Sequence, residues 1–383
     1  MQAFAFHAAK ALFVAPGGAA QLAEHVLRLG GRSVMVVTDP GVVRAGLLEP
    51  VLQGLRGAGL AVSCFADVEP DPPVDVVLRA AGQARASGAD CIVGFGGGSS
   101  LDAAKLAAVL AGGDTRLEDI YGVDKVRGHR LPLALVPTTA GTGSEVTPIA
   151  IVTTGEGMKQ GVVSPVLLPD VALLDADLTL GLPRAVTAAT GIDAMVHAIE
   201  AYTSKRLKNP VSDSLAREAL CLLSRNIHRV CDTPSDRAAR QDMLLGACMA
   251  GMAFANAPVA AVHALAYPVG ARFHVPHGLS NSLVLGPVLR FNLPAAHGHY
   301  AELAGQVLPD AEGSVEARAT ALIEWLEALP GALGIPTRLA QVGIGAGDID
   351  ALADDAMRQT RLLVNNPREL GRDDAAALYR LAL

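Results

Sequence analysis

Residues 89–105 read ADCIVGFGGGSSLDAAK, and this stretch decides the fold of the first half of the chain. The run from Ala89 to Phe95 is mostly apolar, as expected for a strand that is buried on both faces of a sheet. Consecutive glycines follow at 96–98, and they let a backbone approach a phosphate closely. The helical pattern after them would direct free N–H groups at the same place. The stretch therefore predicts a strand, a glycine turn and a helix of an α/β nucleotide-binding domain.

The start of this helix can be assigned from its polar residues. We expect Ser99 to cap the helix and Asp102 to complete an S-x-x-D capping box. A tight turn without any ligand explains these residues equally well. The glycine spacing also differs from G-x-G-x-x-G, and Asp39, the candidate ribose acid, precedes the glycines instead of following them by about 20 residues. A standard Rossmann domain is therefore not supported.

Other strands and helices alternate around the glycine turn. Short β-branched or apolar runs predict strands at 33–39, 61–65, 131–136 and 171–174, and helical spacing predicts a helix at 73–87. Strands that alternate with helices indicate βαβ units and a mostly parallel sheet. We therefore expect an α/β domain over residues 1–180.

A second polar turn follows the strand at 131–136. Residues 137–147 read PTTAGTGSEVT, which places Thr138, Thr139 and Thr142 directly after that strand. Alone, this is better explained as an ordinary turn that caps a helix. Two such turns favour a ligand site, because the carboxyl ends of parallel strands meet at one edge of the sheet.

The charge of Asp39 bears on the choice of cofactor. A carboxylate at the end of a strand can accept hydrogen bonds from a ribose diol, and it would repel a 2′-phosphate. Asp39 therefore favours NAD over NADP.

Composition excludes several classes of protein. The chain has 383 residues, of which 51% are hydrophobic and 18% charged, so we expect two folded domains. The net charge of -7 comes without any basic run, which argues against nucleic acid as a partner. No apolar run approaches the roughly 20 residues of a membrane span, and the N-terminus lacks a secretory pattern. We expect a cytoplasmic protein whose five scattered cysteines are free thiols.

Strand patterns end near Gly181, and we expect an all-helical domain over residues 181–383. It contains the segment TGIDAMVHAIE at 190–200, in which Asp193 and His197 are four residues apart. One helical turn is about 3.6 residues, so both side chains leave the same face of a helix. A carboxylate and an imidazole on one face form half of a divalent-metal site.

The remaining ligands are sought among the histidines of the segment 261–278. His263 and His277 are the candidates, and Pro276 and Gly278 suggest a fixed turn that presents His277. A single histidine on an apolar helix is more often a core residue. Here His263, His274 and His277 lie within fifteen residues, which favours a metal site.

Taken together, these motifs resemble those of the iron-containing (group III) alcohol dehydrogenases. The resemblance spans nearly the whole chain and rests on four motifs in order: GGGSSLDAAK, PTTAGTGSEVT, TAATGIDAMVHAIEAY and HALAYPVGARFHVPHGLSN. It implies a dehydroquinate synthase-like nucleotide domain followed by a helical domain. It also implies a homodimer that binds NAD and Fe²⁺, or Zn²⁺ as in some relatives, and acts on a small alcohol or aldehyde.

The resemblance also implies which residues form the sites. The implied metal ligands are Asp193, His197, His263 and His277. The residues implied at the NAD site are Asp39, Gly96, Gly97, Gly98, Ser99, Thr138, Thr139, Thr142 and Lys159. We also expect Asp102 at this site, because it follows Ser99 in the first turn of the same helix.

One departure concerns the proton relay. Many members carry a second histidine where this chain has Tyr267, and that histidine is usually assigned to relaying the alcohol proton. Tyrosine has an ordinary pKa of about 10, far from neutral. The relay candidates are therefore Tyr267, His274, or water with the cofactor ribose.

Other functions remain open at this stage. A hydroxyacid dehydrogenase or a hydroxyacid–oxoacid transhydrogenase would need a cation near the metal, for which Arg272 is the candidate. Maleylacetate reductases tend to lose the metal-binding acid, whereas Asp193 is present here. Dehydroquinate synthase shares the expected fold but has different motifs. A non-catalytic metal- or nucleotide-binding protein is the alternative outside enzymes.

Overall fold

The computed structural model of the protein describes residues 3–155 and 158–383. Contacts divide the chain into two compact units. One unit runs from His7 to Gly181, and we call it the sheet unit. The other contains Leu182–Leu383 together with the N-terminal residues up to Phe6, and we call it the helical unit.

The sheet unit alternates short strands with helices. Its strands are β1 (Ala11–Val14), β2 (Ser33–Val37), β3 (Ala61–Phe65), β4 (Cys91–Gly96), β5 (Gly122–Val123), β6 (Leu133–Pro137), β7 (Ile149–Thr153), β8 (Lys159–Val163) and β9 (Val171–Leu174). Its helices are α1 (Leu22–Arg28), α2 (Pro40–Arg44), α3 (Leu48–Gly57), α4 (Val74–Ala86) and α5 (Gly98–Ala111).

The larger sheet is parallel, which confirms the predicted fold class. Within the described residues it has six strands in the order β1-β9-β6-β4-β2-β3, and each neighbouring pair runs in the same direction. All residues of β4, β6 and β9 are buried, and for β4 the apolar run had predicted this. Hydrophobic clusters cover both faces of this sheet, with α4 and α5 on one side and α1 and α3 on the other.

The strand order places a switch point between β2 and β4. From β2 the chain moves outward to β3, and it then returns to the opposite side of β2 to form β4. Loops that leave two such strands diverge and leave a crevice at their carboxyl ends, where ligands of open α/β sheets bind. Asp39 follows β2 and the glycine turn follows β4, so both lie at this switch point.

A smaller sheet was not predicted from the sequence. In it β8 pairs with β5 in parallel and with β7 in antiparallel orientation. A two-residue strand such as β5 has no periodicity to detect.

The helical unit contains longer helices. They are α6 (Arg184–Thr203), α7 (Pro210–Asp232), α8 (Arg237–Asn256), α9 (Ala261–Phe273), α10 (His277–Val307), α11 (Val315–Leu333), α12 (Ile349–Met357), α13 (Thr360–Leu363) and α14 (Arg372–Ala382). Helix α6 packs against α7, α8 and α10, and every residue from Gly191 to Thr203 is buried. A side-chain methyl group at Gly191 would lie only 2.3 Å from Ile227, so this close packing requires glycine.

No single helix in the described ranges is long and apolar enough to cross a membrane. The pair α8 and α9, bent by 107° between them, reaches that length and apolar composition only when the two helices are taken together.

The buried carboxylate of Asp170 joins two strands of the larger sheet at one end. Asp170 accepts hydrogen bonds from Lys10 at 2.5 Å, from Arg130 at 2.6 Å and from the backbone N–H of Leu133 at 2.9 Å. Burial opposes ionisation, but these donors outweigh it and lower the pKa of Asp170 to about 2 from an ordinary 3.8. The carboxylate therefore connects the start of β1 to the start of β6.

We expect Asp170→Asn to destabilise the protein, because Arg130 would lose its buried counter-charge. The lowered pKa corresponds to roughly 1–2 kcal/mol of unfolding free energy once solvent screening is allowed for. This contribution is fully present above pH 4 and is lost as the pH falls from about 4 towards 2. Urea unfolding of both proteins between pH 7 and pH 3 measures it. A stability difference that does not shrink on acidification would contradict the assignment.

Candidate functional site

Four candidate metal ligands converge in the helical unit. Helix α6 supplies Asp193 and His197, α9 supplies His263, and His277 is the first residue of α10. One ligand atom from each lies within 4.8 Å of the others. Within the described residues, these four side chains form the group of His, Cys, Asp or Glu residues that lie close enough together to hold a metal ion.

The cluster is largely removed from water. Asp193, His197 and His263 are at most 3% exposed, whereas the side chain of His277 is 29% exposed. The Oδ1 atom of Asp193 lies 3.6 Å from His277 Nε2 and 4.0 Å from His197 Nε2. The His197 ring stacks between His263 and Phe254, with centroids 4.8 and 4.4 Å away. The site therefore has an open side at His277.

The ionisation of these groups suits a cation. Burial, followed by the proximity of His197 and His277, holds the pKa of His263 well below its ordinary value of 6.5. Burial works against the charge of Asp193, but the imidazoles of His277, His197 and His263 outweigh it and lower its pKa. An imidazole with a lowered pKa keeps a free lone pair at neutral pH, and an ionised carboxylate provides a negative charge.

A divalent transition metal fits this set of donors. Neutral imidazole nitrogen and carboxylate oxygen are ligands that both Fe²⁺ and Zn²⁺ accept. Three imidazoles and one carboxylate carry one negative charge, so a bound dication would leave one net positive charge. The residues present therefore suit a divalent metal.

Two polar neighbours of the cluster were missed in the sequence. Asn281 donates from Nδ2 to Asp193 Oδ1 at 2.6 Å and lies 3.2 Å from His263 Nε2. Glu200, which is 4% exposed, approaches the other side of the His263 ring, and burial raises its pKa to about 7. Asn281 is four residues after His277 and Glu200 is seven after Asp193, so the helical periodicity that found the ligands also indicates these residues.

The relay candidates occupy different surroundings. Tyr267 is half-buried, with its ring centroid 5.9 Å from that of His277 and edge-on to His263 at 6.3 Å. His274 is exposed, has a positive φ of 54° and ends α9. The structure therefore places Tyr267 beside two of the four ligands and His274 at the exposed end of α9.

Arg272 was the candidate for binding a substrate carboxylate. Its Nε atom donates to Asp355 Oδ2 at 2.5 Å, and this pairing raises the pKa of the guanidinium. Arg272 is thus already neutralised by a carboxylate of α12.

In the sheet unit, Asp39 and the glycine turn meet at the switch point. Asp39 caps α2 by accepting from the N–H groups of Gly41 and Val42, and its other oxygen accepts from Ser100 Oγ at 2.9 Å. A methyl group at Gly96 would lie 2.9 Å from that oxygen, so only glycine allows this approach. Asp39 precedes the glycine turn by more than 50 residues in the chain, so the sequence alone did not predict that the two are neighbours.

The second polar turn lies against the glycine turn. The N–H of Thr138 donates to the carbonyl of Gly96 at 2.9 Å. Thr139 lies 3.7 Å from the position of a methyl group on Gly97, and Thr142 would collide with one on Gly98 at 2.8 Å. The two turns therefore form one surface, as the argument from strand ends predicted.

The predicted capping box at Ser99 and Asp102 is wrong. Helix α5 is capped by Gly97, and the Ser99 hydroxyl accepts from the backbone N–H of Asp71. Asp102 accepts instead from Ser144 Oγ at 2.5 Å and from the backbone N–H of Ile151 at 2.9 Å. Tertiary partners outcompete the local cap, so Asp102 supports the second turn.

Lys159 is linked to the glycine turn by its contact with Asp71, which in turn contacts Ser99. Its Nζ atom donates to Asp71 Oδ1 at 2.7 Å, and the side chain of Lys159 is only 6% exposed. Because Asp71 also contacts Ser99, it joins two of the residues expected at the NAD site.

Comparison with known proteins identifies the family. The model for the iron-containing alcohol dehydrogenases matches residues 9–176, and the model for the C-terminal part of the same family matches residues 187–383. The chain belongs to the iron-containing alcohol dehydrogenase family. Long-chain-alcohol dehydrogenase 1 of Geobacillus thermodenitrificans is 41% identical over 96% of this chain and 93% of its own length. The sulfoacetaldehyde reductase of Bilophila wadsworthia is 36% identical over 98% of both chains.

Solved structures of this dehydrogenase family agree with the fold. A 1,3-propanediol oxidoreductase has a TM-score of 0.96 at 34% identity over the full length of both chains. The sulfoacetaldehyde reductase of Bifidobacterium kashiwanohense, solved with NAD⁺, has a TM-score of 0.88 at 29% identity, covering 100% of this chain and 99% of its own.

We expect Gly278→Ala to weaken both folding and metal binding. A methyl group there would lie 2.5 Å from the carbonyl oxygen of Ala189 and 3.2 Å from Asp193 Cβ, which would push α10 away from α6. Overpacking of this kind costs about 1–3 kcal/mol. Thermal unfolding and competition with a chelator measure the two effects.

The matched control is Gly298→Ala in the same helix, where a methyl group meets no atom within 4 Å. Alanine at such a position leaves metal affinity unchanged and slightly favours the helix. Equal effects of the two substitutions would show that close packing at Gly278 does not hold the ligands together.

Proposed function

We propose that this protein is a metal-dependent dehydrogenase that transfers a hydride between NAD(H) and a small alcohol or aldehyde. The observation that carries the proposal is the buried cluster of Asp193, His197, His263 and His277 in a member of this family. The glycine turn at the switch point supports it, because such a turn suits a dinucleotide.

The four clustered side chains would hold the metal, with Fe²⁺ as the family name suggests and Zn²⁺ as the alternative. When bound, a divalent metal acts as a Lewis acid that lowers the pKa of an alcohol or polarises a carbonyl. These residues direct three imidazole nitrogens and one carboxylate oxygen at a common point. The half-exposed His277 marks the open side from which a substrate oxygen would enter.

The sheet unit would hold the nicotinamide cofactor. We propose that the pyrophosphate lies against Gly96, Gly97 and Gly98 at the N-terminus of α5, where free N–H groups and the helix dipole favour negative charge. Thr138, Thr139 and Thr142 line the same surface, and Ser99 and Lys159 flank it. Asp39, held in place by Ser100, would accept hydrogen bonds from the ribose hydroxyls. Asp102 supports this surface through Ser144.

For the alcohol proton we propose Tyr267 as the relay, because its ring lies beside His277 and His263. The phenol would accept the alcohol proton at Oη and, in the same step, release its own proton to solvent. His274, which is exposed at the end of α9, is the other candidate. Tyr267→Phe and His274→Ala, compared in the assay described below, distinguish the two residues.

The substrate class rests on the relatives, whose names include long-chain alcohol, 1,3-propanediol and lactaldehyde enzymes. We propose a small alcohol or aldehyde over a hydroxyacid. The engagement of Arg272 by Asp355 removes the cation that a hydroxyacid enzyme was expected to use.

We also propose that the protein is a homodimer, as the family resemblance implies. Strand β1 is at an edge of the larger sheet, and Leu12 and Val14 are exposed on it. Such an edge can pair with another chain. Light scattering tests this, and a particle with the mass of one chain would contradict it.

We expect turnover to depend on a metal held by Asp193. The protein is purified without oxygen, stripped of metal, reloaded separately with Fe²⁺ or Zn²⁺, and assayed by NADH absorbance with short aldehydes and by NAD⁺ reduction with primary alcohols. Asp193→Ala should lower kcat/KM by at least about 100-fold, because the metal contributes several kcal/mol of transition-state stabilisation. The binding of NADH, followed by its fluorescence, should persist.

Asp232→Ala is the control, since it removes an exposed carboxylate of the same unit and should leave turnover unchanged. Turnover by fully metal-free protein would contradict the role of the metal. Tight binding of metal and NADH without turnover of any alcohol or aldehyde would instead favour a hydroxyacid substrate or a non-catalytic role, and 2-oxoacids would be tested next.

We expect Asp39→Ser to relax the preference for NADH over NADPH by about 10-fold or more, because it removes a charge that repels a 2′-phosphate. Serine still caps α2, so the helix is retained. Ser100→Ala is the control: it removes the hydrogen bond to Asp39 but keeps the charge, so the preference should persist. The ratio of kcat/KM for the two cofactors measures the effect, and an unchanged ratio in Asp39→Ser would exclude Asp39 from cofactor selection.

A further inference from the structure

Glu200 has two buried contacts that converge on the start of α9. Its Oε1 atom accepts from the backbone N–H of Val262 at 2.7 Å, and its Oε2 atom lies 2.6 Å from His263 Nδ1. Helix α9 has no side-chain cap of its own, since Ala260 precedes its first residue. Glu200 thus holds both the first turn of α9 and the ring of one metal ligand.

The contacts on the two sides of the His263 ring agree on where its proton lies. Because Nε2 faces the other ligands, a neutral ring that offers a lone pair there carries its hydrogen on Nδ1, where the Oε2 atom of an ionised Glu200 can accept it. On the opposite side, the Asn281 amide nitrogen lies 3.2 Å from Nε2, and it can only donate. The lone pair of His263 is therefore on Nε2, on the side of Asp193 and the other ligands.

We propose that Glu200 is a positioning residue for the metal, which fixes His263 with its hydrogen on Nδ1 and its lone pair on Nε2. The inference rests on the proposed metal-dependent function. It also explains why position 200 holds a carboxylate. Both partners of Glu200 are N–H donors, so only a side chain with two accepting oxygens satisfies them at once.

Glutamine at position 200 has nearly the same shape but only one accepting oxygen. If that oxygen serves Val262, the amide N–H₂ faces His263 and forces the hydrogen of the ring onto Nε2, where it blocks the metal. If the oxygen serves His263, two donors face each other at Val262 and one buried N–H is left unsatisfied. Either arrangement weakens the metal site while the overall packing is retained.

The test compares wild type, Glu200→Gln and Glu302→Gln as full-length proteins. Glu302 accepts from Tyr202 Oη at 2.5 Å in the same unit, so its replacement by Gln is a matched change away from the metal ligands. Dissociation constants for Zn²⁺ and Co²⁺ are measured by competition with a chelator. The visible spectrum of the Co²⁺ form and the Tm of each metal-free protein are recorded as well.

We expect Glu200→Gln to weaken metal binding by about 10–100-fold, the usual effect of losing a partner that orients a ligand, and to alter the Co²⁺ spectrum. Glu302→Gln should leave both unchanged. An unaltered dissociation constant and spectrum, with or without a lower Tm of the metal-free protein, would mean that Glu200 only supports the fold and would overturn the inference. Failure of wild type to bind either metal would overturn the proposed function itself, which is a different result.

Discussion

The buried carboxylate of Asp193 is the constraint on which the helical unit depends. An ionised group that is 1% exposed is stable only when charges or hydrogen bonds replace the water that it has lost. Here those partners come from three helices, so α6, α9 and α10 must meet at one point. Gly278 allows α10 to approach α6 closely enough. Gly191 allows α7 and α8 to pack closely against α6, through Ile227 and Met243. The packing of the unit and its affinity for a cation are therefore parts of one arrangement.

In the sheet unit, glycines again allow a close approach, here between a turn and the side chains around it. Glycines at 96 and 98 leave room for Asp39 and Thr142, which would otherwise collide with a side chain on the turn. The close approach builds a surface of N–H groups and hydroxyls at a switch point, where a phosphate-bearing ligand can reach it. Asp39 and the glycine turn meet there because β2 and β4 are neighbours in the sheet, although β3 lies between them in the chain.

Local periodicity in the sequence was sufficient for some of these features and insufficient for others. The spacing of Asp193 and His197 predicted a shared helical face, and the strands at 61–65 and 171–174 were predicted at the bounds that the structure has. The capping box at Ser99 was wrong because Asp71 and Ser144 come from distant segments that no local pattern can locate. The pairing of Asp39 with Ser100 likewise depends on strand order. Glu200 was within reach, since it lies two turns after Asp193, but its role becomes apparent only when α9 brings His263 beside it.

The complete burial of α6 from Gly191 to Thr203 limits how such a protein can diversify. A position on a helix with a solvent face can accept many side chains at little cost, whereas every position of α6 from Gly191 to Thr203 is buried. Substitutions there change volume in a close-packed interior and lower stability. We therefore expect substitutions that change substrate preference to be tolerated better at half-buried positions such as Tyr267 than in this buried stretch of α6.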